Sequence, residues 1–349
     1  MKFACINYAA DGGRSMSEIR KDIVTGVWTI IAVERGKRPH DFEKQSIRKT
    51  SEGCPFCAGN ESQTPPEVLA YRTGQQEPNN SKWKVRVVPN KYSALKEQNA
   101  VETIKGFYET VTGYGVHEVL IDTTDHEATL GKMSYEQLEL VLKALKERYK
   151  DISSDEKIKY VQIFKNQGAE AGASLQHPHW QIIGVPIMPE NQKQIIKGSK
   201  KYFQEHSRCV YCEMLRYERN AKVRLIQENK HFILFAPYAS RFCYETWIMP
   251  KQHFYDFSRL KEEHLKYLAQ ILKETIQRYE KVFDELSYNI CFMGPPQEAS
   301  VEKYFHWHIQ IIPRLGNLAG FELSTGSYIN PTPPEMVAET LQKVVKKVR

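Results

Sequence analysis

Two short segments of the chain carry a histidine, a second histidine and a glutamine at every other position. These are His177, His179 and Gln181, and later His306, His308 and Gln310. In extended backbone such residues share one face. A neutral imidazole is a competent nucleophile near pH 7, because its unperturbed pKa is about 6.5. A carboxamide beside it can stabilise oxygens on a phosphoryl group. The first segment follows NQGAEAGAS, in which Gly168, Ala169, Ala171, Gly172, Ala173 and Ser174 let backbone N–H groups approach a phosphate. The second follows QEASVEKYF, which lacks that small-residue loop. His308 and Gln310 are therefore expected to be a degenerate copy, packed at the junction of two halves.

Two CxxC pairs, Cys54/Cys57 and Cys209/Cys212, point to metal chemistry. Zinc takes four N or S ligands in a tetrahedron, and CxxC supplies two from one turn. His126 and His177 complete the first set, and His253 and His306 the second. His117 is a rival ligand in the first half, but the repeat aligns it with Tyr244, so His126 is preferred. All eight side chains are then used, which predicts two structural zinc sites. The first histidine of each HxHxQ holds metal and the second stays free.

These motifs recur in one order: CxxC, a middle histidine, a helix, then HxHxQ. The middle histidine precedes HxHxQ by 51 residues in the first half and 53 in the second. From CxxC to the middle histidine the separations are 69 and 41, so the first half carries an insertion, assigned to about 95–107. Ser134 with Gln137 signals a helix start, and Leu138, Val141, Leu142, Leu145 and Tyr149 follow helical spacing. Leu260, Leu268, Ile271, Leu272, Ile276, Tyr279 and Phe283 do the same. Strands are predicted at 158–164, 179–186, 231–236, 243–249, 288–293 and 306–313. The expected class is α+β with largely antiparallel sheet. The divisions are an extension over 1–15, an N-terminal unit over 16–190 and a C-terminal unit over 205–349. Residues 72–82 and 95–107 read as loops, and 187–208 as a polar link.

With 349 residues, 41% of them hydrophobic and 26% charged, the chain reads as soluble and globular. No apolar run approaches the roughly 20 residues of a membrane span. The first residues lack a charged region followed by an apolar core, so no secretory signal is read. The net charge of +7 is scattered, which argues against a nucleic-acid partner. Seven cysteines cannot all pair, and the expected compartment is the reducing cytoplasm.

The segments SEIRKDIVTGVW, RGKRP, CPFCAGNE, VVPNKYSAL, GASLQHPHWQ, FHWHIQIIPR and GFELSTGSYINP, in that order, resemble the galactose-1-phosphate uridylyltransferase family of the histidine-triad superfamily. The resemblance runs from about Ser17 to the C-terminus and implies two tandem histidine-triad-like repeats. It also implies a double displacement. His179 would take the nucleotidyl group from a nucleotide sugar and pass it to a sugar 1-phosphate or to phosphate. Gln181 would hold the nucleotidyl phosphate, with Asn166, Ser174, Arg35 and Arg38 at the phosphates. Asn90 would contact ribose, and Phe321 and Glu322 the hexose. Family members are usually homodimers that share each active site. The chain departs from the usual pattern at Trp180, at Lys91 and at Met293. The first activity implied is uridylyl transfer between UDP-glucose and a hexose 1-phosphate. The alternative is an ADP-sugar phosphorylase or adenylyltransferase on the same histidine. A zinc-stabilised nucleotide-binding module without turnover is a third reading, opposed by the intact His179, Gln181 and Ser174.

Overall fold

A computed structural model of the chain describes residues 18–22, 24–25, 28–31, 51 and 53–346, except 75, 76, 96, 98, 99, 106, 108, 298 and 299. Arg35, Arg38 and the 1–15 extension lie outside them. A hairpin, β1 (Glu18–Lys21) and β2 (Trp28–Ile31), comes first. The first repeat follows with β3 (Leu69–Arg72), β4 (Trp83–Pro89), a small ribbon of β5 (Thr103–Lys105) and β6 (Glu109–Val111), and β7 (Val116–Ile121). It closes with α1 (Tyr135–Ser153), β8 (Tyr160–Gln167) and β9 (His179–Val185). Helices α2 (Glu190–His206) and α3 (Val210–Ala221) lead to β10 (Leu225–Glu228), β11 (Phe232–Phe235) and β12 (Thr246–Pro250). Then come α4 (Glu262–Val282), β13 (Tyr288–Met293), β14 (His308–Pro313), α5 (Gly320–Thr325), β15 (Tyr328–Asn330) and α6 (Pro334–Lys346).

Ten strands form one antiparallel sheet in the order β10-β11-β12-β14-β13-β8-β9-β7-β4-β3. That order is a palindrome: β3, β4, β7, β9 and β8 have counterparts in β10, β11, β12, β14 and β13. The α+β plan of two tandem histidine-triad-like repeats is thus realised as a single sheet. Its centre is the β8–β13 ladder, where Phe164 pairs with Cys291 and Asn166 with Asn289. Strand β5 falls within the expected insertion at 95–107, which is therefore not loop throughout, and its partner β6 lies just beyond it. Residues 187–208, read as a polar link, hold α2, a 17-residue helix.

The helices form for local reasons. The Ser134 side chain accepts from the Gln137 N–H and caps α1, and Leu138, Val141, Leu142, Leu145 and Tyr149 bury one face. That face, together with α4, covers one side of the sheet in a core that includes Leu120, Ile182 and Trp180. On the opposite side Trp83, Val88, Val119 and Ile121 pack with Phe56. The turn before β2 rests on α2, where a Cβ at Gly198 would collide with the Val24 carbonyl. Among the described residues no helix is long and apolar enough to cross a membrane.

Candidate active site

Strand β9 starts at His179, one residue after Pro178, and lies between β7 and β8. Proline lacks the N–H a central ladder needs, so it stands just before the strand's first residue. The buried His179 ring lies against the edge of Phe56, with centroids 5.3 Å apart. Its Nδ1 is 2.8 Å from the His177 carbonyl. A carbonyl can only accept, so Nδ1 carries the proton and Nε2 keeps the lone pair. Burial, and after it the field of Lys165, holds His179 down at about 4. The ring is therefore neutral, with the Nε2 lone pair left over.

Gln181 is two residues on, on the same face. Its Oε1 is 2.8 Å from His117 Nε2, reaching across from β7. His117 Nε2 also lies 3.0 Å from Asn90 Nδ2. These three side chains form one connected cluster, two residues along β9 from His179. His117 entered the sequence argument only as a rival metal ligand. Its contact with Gln181 depends on the β7–β9 register, in which Val119 faces Gln181.

The small-residue loop between β8 and β9 is held from the second repeat. Asn289 on β13 donates from Nδ2 to Asn166 Oδ1 and to the Ala171 carbonyl, each at 2.9 Å. Gly168, at φ 81°, passes so close to Ser287 that a Cβ would strike its hydroxyl. Ser174 is exposed at the end of this loop. Asn289 carries no motif signal, since its partners become visible only once β8 and β13 are paired.

Both expected metal sets assemble. Cys54, Cys57, His126 and His177 place their ligand atoms within 4.8 Å of one another, as do Cys209, Cys212, His253 and His306. In the first set Cys57 Sγ is 3.4 Å from His126 Nδ1 and 3.6 Å from His177 Nδ1. In the second, Cys212 Sγ is 3.2 Å from His253 Nδ1 and 3.6 Å from His306 Nδ1. A tetrahedral ion with ordinary Zn–S and Zn–N bonds gives S···N edges of about 3.6 Å. His177 and His253 donate their other nitrogen, Nε2, to the carbonyls of Thr123 (2.7 Å) and Glu302 (2.6 Å). That leaves Nδ1 as the ligand atom, the usual outer-shell arrangement of a metal-binding histidine. His117 is outside the first set, and His126 is in it. In the second set, hydrogen bonds from Cys212, His253 and His306 hold the Cys209 thiol down at about 3, while its bond to Cys209 pushes Cys212 up. The donor chemistry and spacing of both sets fit a divalent ion.

The second HxHxQ is a sealed copy. His308 is fully buried, with Trp247 stacked on it at 4.5 Å and Tyr211 tilted against it at 5.3 Å. Gln310 Nε2 lies 3.2 Å from His308 Nε2 and occupies the lone pair that is open on His179. Gln310 Oε1 in turn accepts from Arg241. Trp247 pairs with Gln310 as Val119 pairs with Gln181, so a tryptophan fills the space a valine leaves. This register equates His117 with Glu245 rather than Tyr244, because the second-half connection to the middle histidine is one residue shorter.

Trp180 points away from His179 into the helix-covered core, 5.8 Å edge-on to Phe292. It packs that core and does not line the His179 face. Lys91 is exposed beside Asn90. Glu322 accepts from the Ala319 N–H at the start of α5 at 3.1 Å, and Phe321 is exposed on the same helix.

Comparison with known proteins gives one consistent result. Residues 8–189 match the N-terminal domain of galactose-1-phosphate uridyl transferase, and residues 190–317 match its C-terminal domain. An ADP-glucose phosphorylase of Arabidopsis thaliana is 36% identical over 94% of this chain and 93% of its own length. A galactose-1-phosphate uridylyltransferase of Thermotoga maritima is 31% identical over 94% and 98%. The crystal structure of the Arabidopsis thaliana ADP-glucose phosphorylase with bound ADP-glucose superposes with a TM-score of 0.81 at 34% identity, over 94% of this chain and 99% of that one. The chain belongs to the galactose-1-phosphate uridylyltransferase family and is a nucleotidyltransferase.

Proposed function

We propose that the protein transfers a nucleotidyl group from a nucleotide sugar by way of His179, with ADP-glucose as donor and inorganic phosphate as acceptor. His179 Nε2 attacks the α-phosphorus and the bond to the bridging oxygen breaks. Glucose 1-phosphate leaves with that electron pair. A phosphate oxygen then attacks the same phosphorus, the P–N bond breaks, and the imidazole recovers its lone pair with ADP as product. Two displacements at one centre let a single site handle both phosphates. The observation that carries this is the fixed tautomer of His179, protonated on Nδ1 by its bond to the His177 carbonyl. The donor rests on the similarity to the ADP-glucose phosphorylase, and exposed Lys91 after Asn90 accords with it. Uridylyl transfer from UDP-glucose to a hexose 1-phosphate is the second reading, supported by the relative that spans 98% of its own length.

In this reading Gln181, Asn166 and Ser174 hold phosphate oxygens, joined by Arg35 and Arg38, and Asn90 holds the ribose. Phe321 and Glu322 take the hexose. Exposed Phe321, Leu323, Tyr92 and Phe107 suit a homodimer. The free thiols suit the cytoplasm. Intact mass spectrometry tests the reading, with ADP-glucose and UDP-glucose added separately and no acceptor. An adenylyl adduct absent from His179→Ala is the expected result. A uridylyl adduct alone moves the function to the second reading. No adduct with either donor overturns the covalent route.

Both metal sets hold zinc in this proposal, and they differ in consequence. Cys54, Cys57, His126 and His177 would hold the ion beside the catalytic strand, where it would fix the His177 backbone that orients His179. Cys209→Ser removes a ligand beside the sealed copy and lowers the thermal midpoint more than turnover. Cys54→Ser lowers both. Metal content by elemental analysis, thermal melts and single-turnover rates check the contrast.

Asn289→Ala frees the loop from Asn166 to Ala171 and lowers kcat about 10–100-fold, the scale of an ångström-level misplacement. Asn289→Asp is worse than alanine, because it sets acceptor oxygens against the two acceptors it faces. Steady-state kinetics of both variants test the order.

A further inference from the structure

His117 sits between the two carboxamides that the proposed reaction uses, and it can satisfy only one of them. Asn90 Oδ1 accepts from the Tyr92 N–H at 2.9 Å. The other end of that carboxamide is therefore NH2, and it points at His117 Nε2 from 3.0 Å. To accept from Asn90, Nε2 must carry a lone pair. To donate to Gln181 Oε1 at 2.8 Å, the same atom must carry a proton. Turning Gln181 over does not help, because it then offers a second donor to an occupied lone pair. The Ala94 N–H, 3.5 Å from His117 Nδ1, favours the tautomer protonated on Nε2. In that form His117 holds Gln181, and the Asn90 NH2 faces an N–H.

We propose that His117 is a positioning residue that couples occupation of the Asn90 position to the orientation of Gln181. This rests on the nucleotidyl-transfer reading above. A ribose hydroxyl accepts from Asn90 Nδ2 and draws it off His117. His117 then keeps its Nε2 proton and holds Gln181 Oε1. The Gln181 NH2 is left facing the phosphorus centre on the His179 side of the strand, where it donates to a phosphoryl oxygen as charge builds. Without the hydroxyl, Asn90 competes for His117 Nε2 and the hold on Gln181 weakens. The device favours a complete nucleotide over a free phosphate ester, because the catalytic amide is set only when the nucleoside is seated.

The test is the single-turnover rate of nucleotidyl-His179 formation, in the wild type and in His117→Phe. Each is measured with the donor that forms the adduct and with its 2′-deoxy and 3′-deoxy analogues. A coupling of the usual size is worth about 5–150-fold. The wild type is expected to lose a factor in this range when the hydroxyl that meets Asn90 is removed. His117→Phe loses a similar factor with the intact nucleotide and little more with the analogue. His117→Gln, whose terminal N–H can still donate to Gln181 Oε1, recovers most of the rate at an unchanged thermal midpoint. Additive losses in the phenylalanine variant overturn the proposal while leaving the covalent route intact. Failure of the wild type to form any adduct overturns both.

Discussion

His179→Ala is expected to abolish the nucleotidyl adduct and to lower turnover by roughly 10⁴-fold or more, the scale on which covalent nucleophiles fail. His308→Ala is expected to do the reverse. It should lower stability by about 2–4 kcal/mol, as a large-to-small change in a packed interior does, and leave adduct formation nearly unchanged. The two histidines stand in equivalent strands, follow a histidine of a metal set, and point their Nδ1 at the carbonyl two residues back. They differ in what faces Nε2. On His308 it meets Gln310 beneath a stacked Trp247. On His179 it is open, because Gln181 is turned to His117 and Val119 stands where the tryptophan would be. Adduct formation by mass and unfolding by heat or denaturant, run on both variants, separate the roles. An adduct that survives in His179→Ala would remove the proposed nucleophile.

What the sequence revealed followed from local spacing. CxxC pairs, alternating histidines and a capped amphipathic helix need only neighbours along the chain, and the repeat supplied the distant histidines, so both metal sets and α1 were legible. The opposition of Trp180 and His179 followed from strand alternation alone. What stayed hidden depends on partners across the sheet. Asn289 means nothing until β13 lies against β8, and His117 meets Gln181 only in the β7–β9 register. Trp247 was visible as a residue. Its place over His308 was not, because a one-residue difference in the following connection shifts the apparent alignment. The expectation of a degenerate second copy rested on a missing small-residue loop, whereas the structure adds two aromatic rings that close it. Arg35 and Arg38 fall outside the described residues.

A buried ion pair beneath β9 sets the second large effect. Lys165 and Asp122 are both fully buried, with Nζ 2.8 Å from Oδ2. The same Nζ donates to the His179 carbonyl at 3.0 Å, and the Asp122 N–H donates to the Pro178 carbonyl at 3.1 Å. The pair therefore braces Pro178 and His179, where the chain enters β9. Burial pushes the Asp122 carboxyl up and the Lys165 ammonium down, and their mutual contact opposes both shifts. Lys165→Met is expected to cost about 3–5 kcal/mol, because it strands a carboxylate in the core. In that variant Asp122 folds with a raised pKa, so the folded state holds its proton where the unfolded chain has lost it. Stability is then greatest at low pH and falls as pH rises through the folded value. Asp122→Asn strands the ammonium instead. The folded pKa of Lys165 is lowered further, the unfolded chain binds the extra proton, and stability rises with pH. The two single variants should thus show opposite pH slopes of unfolding free energy. The double variant Lys165→Met/Asp122→Asn should show neither slope and recover part of the loss, since no lone charge remains buried. Slopes of the same sign in the two single variants would overturn this account, because a stranded buried carboxylate and a stranded buried ammonium must respond to pH in opposite directions.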